Sequence, residues 1–201
     1  MARSSSDLER WPEYCDQASA GLCRLEVTGP AGEPLTPEAG FARWIALTAD
    51  GHLRGQHIYL VGNGASAMIA SHLAADACKN GGLRASTFND AALLTATAND
   101  VAFAEVFAVP LQQLARAGDQ LIAISSSGNS PNILRACERA RAMSLTIVTL
   151  TGMGGANRAR LHGDLNFYVP SPRYGWVECA HQLVLHYWLD QYLNLHGTGA
   201  R

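Results

Sequence analysis

Most signposts of a specialised protein are missing from this chain of 201 residues. Charged side chains make up only 16% and nearly cancel, leaving a net charge of −2 and a pI near 6.4. No basic face therefore marks the chain for nucleic acid or for an anionic membrane. No apolar run approaches the roughly 20 residues that a membrane helix needs. The opening residues, MARSSSDLERWPEYC, contain no apolar signal core, so export is not expected and a cytoplasmic location is. Cysteine is scarce and unpatterned: Cys15, Cys23, Cys78, Cys137 and Cys179 form an odd set with no C-x-x-C spacing. They read as reduced thiols packed mostly as small apolar groups. Internal repeats and low-complexity tracts are absent. So is a Walker-type lysine loop. The turn V-G-N-G-A-S begins like a dinucleotide fingerprint, but Met68 or Ile69 stands where the third glycine belongs. No acidic ribose partner follows convincingly, which argues against a nicotinamide cofactor.

What remains is an apolar, single-domain composition, 48% hydrophobic, long enough to enclose a sizeable core. Residues 1–55 are mainly helical in pattern, with a breaker-rich connection from Thr28 to Pro37. They predict a helical N-terminal arm, packed on the body or on a neighbouring subunit and serving oligomerisation. From residue 56 short apolar runs alternate with amphipathic stretches. Strands are predicted at 57–61, 84–88, 120–124, 145–150 and 165–169. Helices are predicted over 67–79, from Asp90 to about Thr97 with Asn99-Asp100 as the break, over 103–117 and 132–143, and from about Trp176 to Leu195. This alternation defines an α/β three-layer sandwich: a five-stranded parallel sheet covered on both faces, occupying residues 56–196. Residues 197–201 read as a disordered tail.

The stretch Gln120 to Ile133, QLIAISSSGNSPNI, organises the rest. A buried strand runs into three serines, then Gly128, Asn129 and Ser130, and a helix opens at once. Strand, polar turn and helix in that order aim backbone N–H groups and a positive helix end at whatever occupies the turn. With four hydroxyls added, the fitting guest is a phosphate held without lysine. Serine is also a common N-cap, but three in a row exceed what capping requires.

Ionisable groups recur on two helices. His72 and Asp76, four residues apart, share a helix face, and their alanine-rich flanks predict a largely buried helix. Glu178, Gln182 and His186 form a stripe on the last helix, with His181 off it as a core or interface histidine. Glu178 and His186 stand roughly 12 Å apart along that helix, too far to share one ion unless two subunits contribute. Two histidines and two carboxylates suit Zn²⁺ or another first-row metal.

The segments G-N-G-A-S-A-M-I-A-S-H-L-A-A-D, F-N-D-A-A-L-L-T-A-T-A-N-D, A-I-S-S-S-G-N-S-P-N-I-L-R-A and V-E-C-A-H-Q-L-V-L-H resemble the sugar isomerase (SIS) superfamily, and within it the sedoheptulose-7-phosphate (phosphoheptose) isomerases. The resemblance implies a homotetramer with active sites between subunits, and a phosphorylated sugar as substrate. It implies phosphate ligands at Ser125, Ser126, Ser127 and Ser130. Sugar contacts would come from Asn63, Gly64, Ala65, Ser66, Asn99 and Asp100. A zinc site would use His72, Asp76, Glu178 and His186. The family keeps His, Glu, Gln and His there, so this chain departs at Asp76 and at Glu178. The implied reaction is ketose–aldose isomerisation through an enediol, giving D-glycero-D-manno-heptose 7-phosphate, with Asp76, Glu178 and His186 moving the protons. The alternative is a non-catalytic SIS protein, either a phosphosugar-binding module or an adaptor of the replication initiator.

Overall fold

A computed structural model describes residues 8–197. The expected tail lies, from residue 198 on, outside the described residues. The chain begins with helix α1 (Trp11–Leu22), strands β1 (Glu26–Thr28) and β2 (Pro34–Leu35), and helix α2 (Pro37–Leu53). Next come β3 (Ile58–Gly62), α3 (Ala65–Gly81), β4 (Ala85–Thr87), α4 (Ala91–Asp100), α5 (Ala108–Leu114) and β5 (Gln120–Ser125). Last are α6 (Pro131–Ala142), β6 (Thr146–Gly152), β7 (Leu165–Val169) and α7 (Tyr174–His196).

One sheet runs through the molecule in the order β2-β1-β7-β6-β5-β3-β4. The five strands from β7 to β4 are parallel, as their two-sided apolar sequences require. Side chains alternate between the faces. Ile58, Leu60, Ile122, Ile124, Val148 and Leu150 join α2, α3 and α7 in one core. Tyr59, Val61, Leu121, Ala123 and Ile147 join residues of α5 and α6 in the other.

Two expectations need correction. The five expected parallel strands are joined by two more: residues 26–35, overlapping the breaker-rich connection, supply β1 and β2, which pair antiparallel and attach to the β7 edge with Val27 opposite Phe167. Val27 is only 3% exposed, so one buried valine fixes a hairpin that glycine and proline hid from a periodicity reading. The rest of the described segment before residue 56 is mainly helical in α1 and α2, and α2 belongs to the main core through Phe41, Trp44 and Ile45. Some helix ends also differ. Asn99 and Asp100 close α4 instead of breaking it, and the stretch 103–117 resolves into a 3₁₀ turn (Phe103–Glu105) and the short α5.

The strand order reverses between β3 and β5. In open parallel sheets ligands gather outside the carboxyl ends of the strands at such a switch. The turns following β3 and β5 both open there. Helix α7, which frames this edge, is anchored far from it: Trp188 stacks on Trp44 with centroids 4.8 Å apart and planes 11° apart. Both indoles are fully buried; Trp188 Nε1 donates to Thr48 Oγ1 at 3.1 Å, and Trp44 Nε1 to Gln120 Oε1 at 3.2 Å.

Candidate active site

Close backbone approach shapes the first turn. A Cβ on Gly62 would lie 2.7 Å from the Ser66 backbone, so only glycine lets α3 start directly over the end of β3. Gly64 follows with φ +54, and Ser66 turns inward, 5% exposed. After β5, Gly128 has φ +62, and a Cβ there would sit 2.1 Å from Asn157 Oδ1. Glycine is required at both. The N-termini of α3 and α6 therefore converge on one space.

That space is a cleft of about 120 Å³ lined by Asn63, Ser66, Ile124, Ser125, Ser126, Ser127, Ser130, Tyr174 and Glu178. Among the described residues no cationic side chain lines it, so an anion here would be held by dipoles. Ser125 Oγ accepts from Gly128 N at 3.2 Å and Ser127 Oγ from Asn129 N at 3.3 Å, which leaves their O–H protons free to donate. Ser130 is the N-cap residue of α6, yet its side chain makes no capping bond. Its hydroxyl is thus spare. Asn63 and Asn132 close the floor with reciprocal amide bonds of 2.9 and 2.8 Å. Asn132 escaped the sequence reading; its signal was a polar residue on the inner face of a helix N-terminus. Tyr174 was also missed. A cleft of similar volume, lined by His57, Gln120 and Thr146 among others, opens at the opposite, amino-terminal edge of the strands, where such sheets do not bind substrates.

Further along α3 and α7 from the cleft, His72, Asp76 and His186 come together, with one ligand-capable atom of each within 4.8 Å of the others. His72 Nε2 is 3.3 Å from His186 Nε2 and 3.5 Å from Asp76 Oδ2. Donors around a tetrahedral ion at 2.0–2.1 Å stand about 3.4 Å apart. The spacing and the N/N/O donor set therefore fit a first-row metal. The burial expected of this pair is corrected: the His72 side chain is 47% exposed and that of Asp76 21%, because Ala70, Leu73, Ala74 and Ala77 face the core while the polar pair faces out.

The remaining predicted residues lie elsewhere. Glu178 is on the serine cleft wall and is not one of the three clustered donors, since two turns of α7 separate it from His186. Gly64 and Ala65 are exposed at the start of α3. Asn99 and Asp100 are exposed at the end of α4, the Asn99 amide donating to Asp100 Oδ1 at 2.8 Å, and neither lines the cleft. His181 is a core residue, 0% exposed. Of the five cysteines only Cys137 is buried, its thiol pushed up to about 12 by desolvation; the packing expected for the others does not hold. Among the described residues no helix is long and apolar enough to cross a membrane.

A parallel sheet whose strand order switches at a serine turn defines an α/β domain with a ligand cleft at that edge. The SIS domain family matches residues 36–152, and the chain belongs to this family. Within it the chain is 36% identical to the phosphoheptose isomerase of Alteromonas mediterranea over 181 residues, 85% of this chain and 90% of that one. The phosphoheptose isomerase structure from Neisseria gonorrhoeae superposes with a TM-score of 0.78 at 29% identity, covering 90% of this chain and 96% of that one. A phosphoheptose isomerase from Francisella tularensis gives 0.78 at 26% identity, with coverage of 90% and 94%.

Proposed function

We propose that the protein is an aldose–ketose isomerase that converts sedoheptulose 7-phosphate to D-glycero-D-manno-heptose 7-phosphate through an enediol. The observation that carries this reading is that α3 and α7 frame a hydroxyl-lined cleft and also carry three metal-capable donors. A binding module needs the first feature and has no use for the second.

In this scheme Ser125, Ser126, Ser127 and Ser130 hold the phosphate, and the energy of that contact orients the carbonyl end of the sugar. His72, Asp76 and His186 would hold a divalent metal, zinc on the strength of its N/O donor set. When bound it supplies polarisation of the carbonyl. Asp76 belongs to the donor cluster, which leaves Glu178 as the carboxylate facing the anchored sugar. Glu178 takes the proton from the carbon beside the carbonyl, and solvent exchanges the protons of the two oxygens; two turns of α7 separate Glu178 from His186, so the donor cluster serving the same sugar would be that of another copy of the chain. Return of the proton to the neighbouring carbon completes the exchange, so protons balance without another reactant. Exposed Met68, Leu183 and Tyr187 around the donor cluster support assembly into a homotetramer in which the region before residue 56 takes part.

The test is incubation of the purified protein with sedoheptulose 7-phosphate, following aldose formation by NMR, alongside metal analysis. Turnover and retained stoichiometric zinc are expected. His186→Ala should abolish turnover with assembly unchanged, and Glu178→Gln should lower kcat roughly 10²- to 10⁴-fold. Absence of turnover with a range of phosphorylated ketoses overturns the reading.

A further inference from the structure

Helix α7 carries both Glu178 and His186, while the serine cleft begins at the end of β5. Something must hold these two frames at a fixed distance. The end of β6 lies between them. Thr151 pairs with Ser125 in the sheet, and Gly152 N donates to the Ser126 carbonyl at 3.0 Å. On its other side β6 meets α7 closely: a Cβ on Gly152 would lie 2.5 Å from Val177 Cγ1.

At this crossing sits His181, fully buried, with Nε2 3.0 Å from the Thr151 carbonyl oxygen. A carbonyl only accepts, so Nε2 carries the proton and the tautomer is set. It is the one side-chain hydrogen bond from α7 to the sheet among the described residues. The other ring nitrogen, Nδ1, is buried without a partner, as is Thr151 Oγ1. An apolar side chain would avoid the cost of that orphaned nitrogen. What distinguishes histidine from leucine here is therefore the bond to Thr151. Burial pushes the ring down to about 4, which keeps it neutral near pH 7 and out of the proton transfers.

We propose that His181 is a positioning residue that ties α7 to the end of β6, and so fixes the serine cleft relative to the groups on α7. The role rests on the phosphosugar reading of the cleft and adds to it a residue that touches neither sugar nor phosphate.

The test compares His181→Gln, His181→Asn and His181→Leu in the full chain. Glutamine places an amide N–H near the position of Nε2; asparagine reaches only as far as Nδ1, and leucine offers no donor. Inorganic phosphate binding is measured by calorimetry, kcat and KM with the sugar phosphate, and folding by thermal melting. The asparagine and leucine variants should weaken phosphate binding and raise KM about tenfold, the worth of one buried hydrogen bond. The glutamine variant should stay within about threefold of the parent. A purely structural role would lower the melting temperature without this Gln/Asn split. The proposal is overturned if folded asparagine and leucine variants bind phosphate like the parent, or if glutamine fails as they do. It also falls if the parent binds no phosphate. Should leucine not fold, the glutamine–asparagine contrast decides. His181-dependent phosphate binding without turnover would reject the isomerase and leave the strut standing.

Discussion

Ser130 caps α6 by position but not by hydrogen bond, so its hydroxyl can be removed without loosening the helix. Ser130→Ala should leave the melting temperature unchanged and raise KM roughly ten- to hundredfold, since a hydrogen bond to a charged group is worth about 1.5–3 kcal/mol. Calorimetry with inorganic phosphate checks the same loss without turnover. His181 makes the opposite kind of residue, one whose titration reports on folding. Its value falls from 6.5 to about 4 in the folded chain. Between those values the unfolded chain binds more protons, so stability rises with pH. The contribution is complete above pH 6.5 and is lost as pH falls toward 4, about 3 kcal/mol in all. Denaturant midpoints from pH 7.5 down to 5 should therefore slope less steeply in His181→Gln than in the parent. At this scale the place of the serines in a cleft after β5 was legible, because hydroxyls that follow a buried strand mark where the strand opens to solvent. Asn132 was not, since one asparagine in a helix says nothing until Asn63 is seen opposite.

Among the elements, the strand–turn–helix units after β3 and β5 do most to place the chemistry, and each depends on a glycine the backbone cannot replace. Gly62→Ala would drive a methyl to 2.7 Å from the Ser66 backbone, forcing α3 away from β3. The expected result is a loss of about 1–3 kcal/mol of stability together with weakened metal retention, because α3 carries His72 and Asp76. Thermal melting and metal analysis measure the two effects separately. Helix α7 has its own anchor in the buried Trp44–Trp188 stack. Trp188→Phe keeps a ring but loses the bond to Thr48 and part of the contact, and should destabilise without changing KM for the fraction that stays folded. Continuous apolar runs and punctuating glycines announced these elements. The β1–β2 hairpin stayed hidden because two- and three-residue strands are too short to show a period, and its pairing partner β7 lies far along the chain.

For the whole molecule, the face around the donor cluster is the informative surface. Met68 is 72% exposed, Leu183 54% and Tyr187 44%, apolar side chains near the donor cluster that the proposed assembly would bury. Leu183→Asp should shift sedimentation toward smaller species and reduce turnover, while leaving the secondary structure seen by circular dichroism intact. The sequence by itself determined the parallel sheet, the serine turn and the kinds of side chain available, because strand period, glycine placement and hydroxyl content are local properties. Only the tertiary structure decided which of those side chains meet. His72 and His186 are separated by 114 positions and come within 3.3 Å, whereas Glu178, on the same helix as His186, turns to the serine cleft instead. The height and rotation at which α7 packs against α3 set the first meeting and are a product of packing across the whole core; the two turns between Glu178 and His186 set the second.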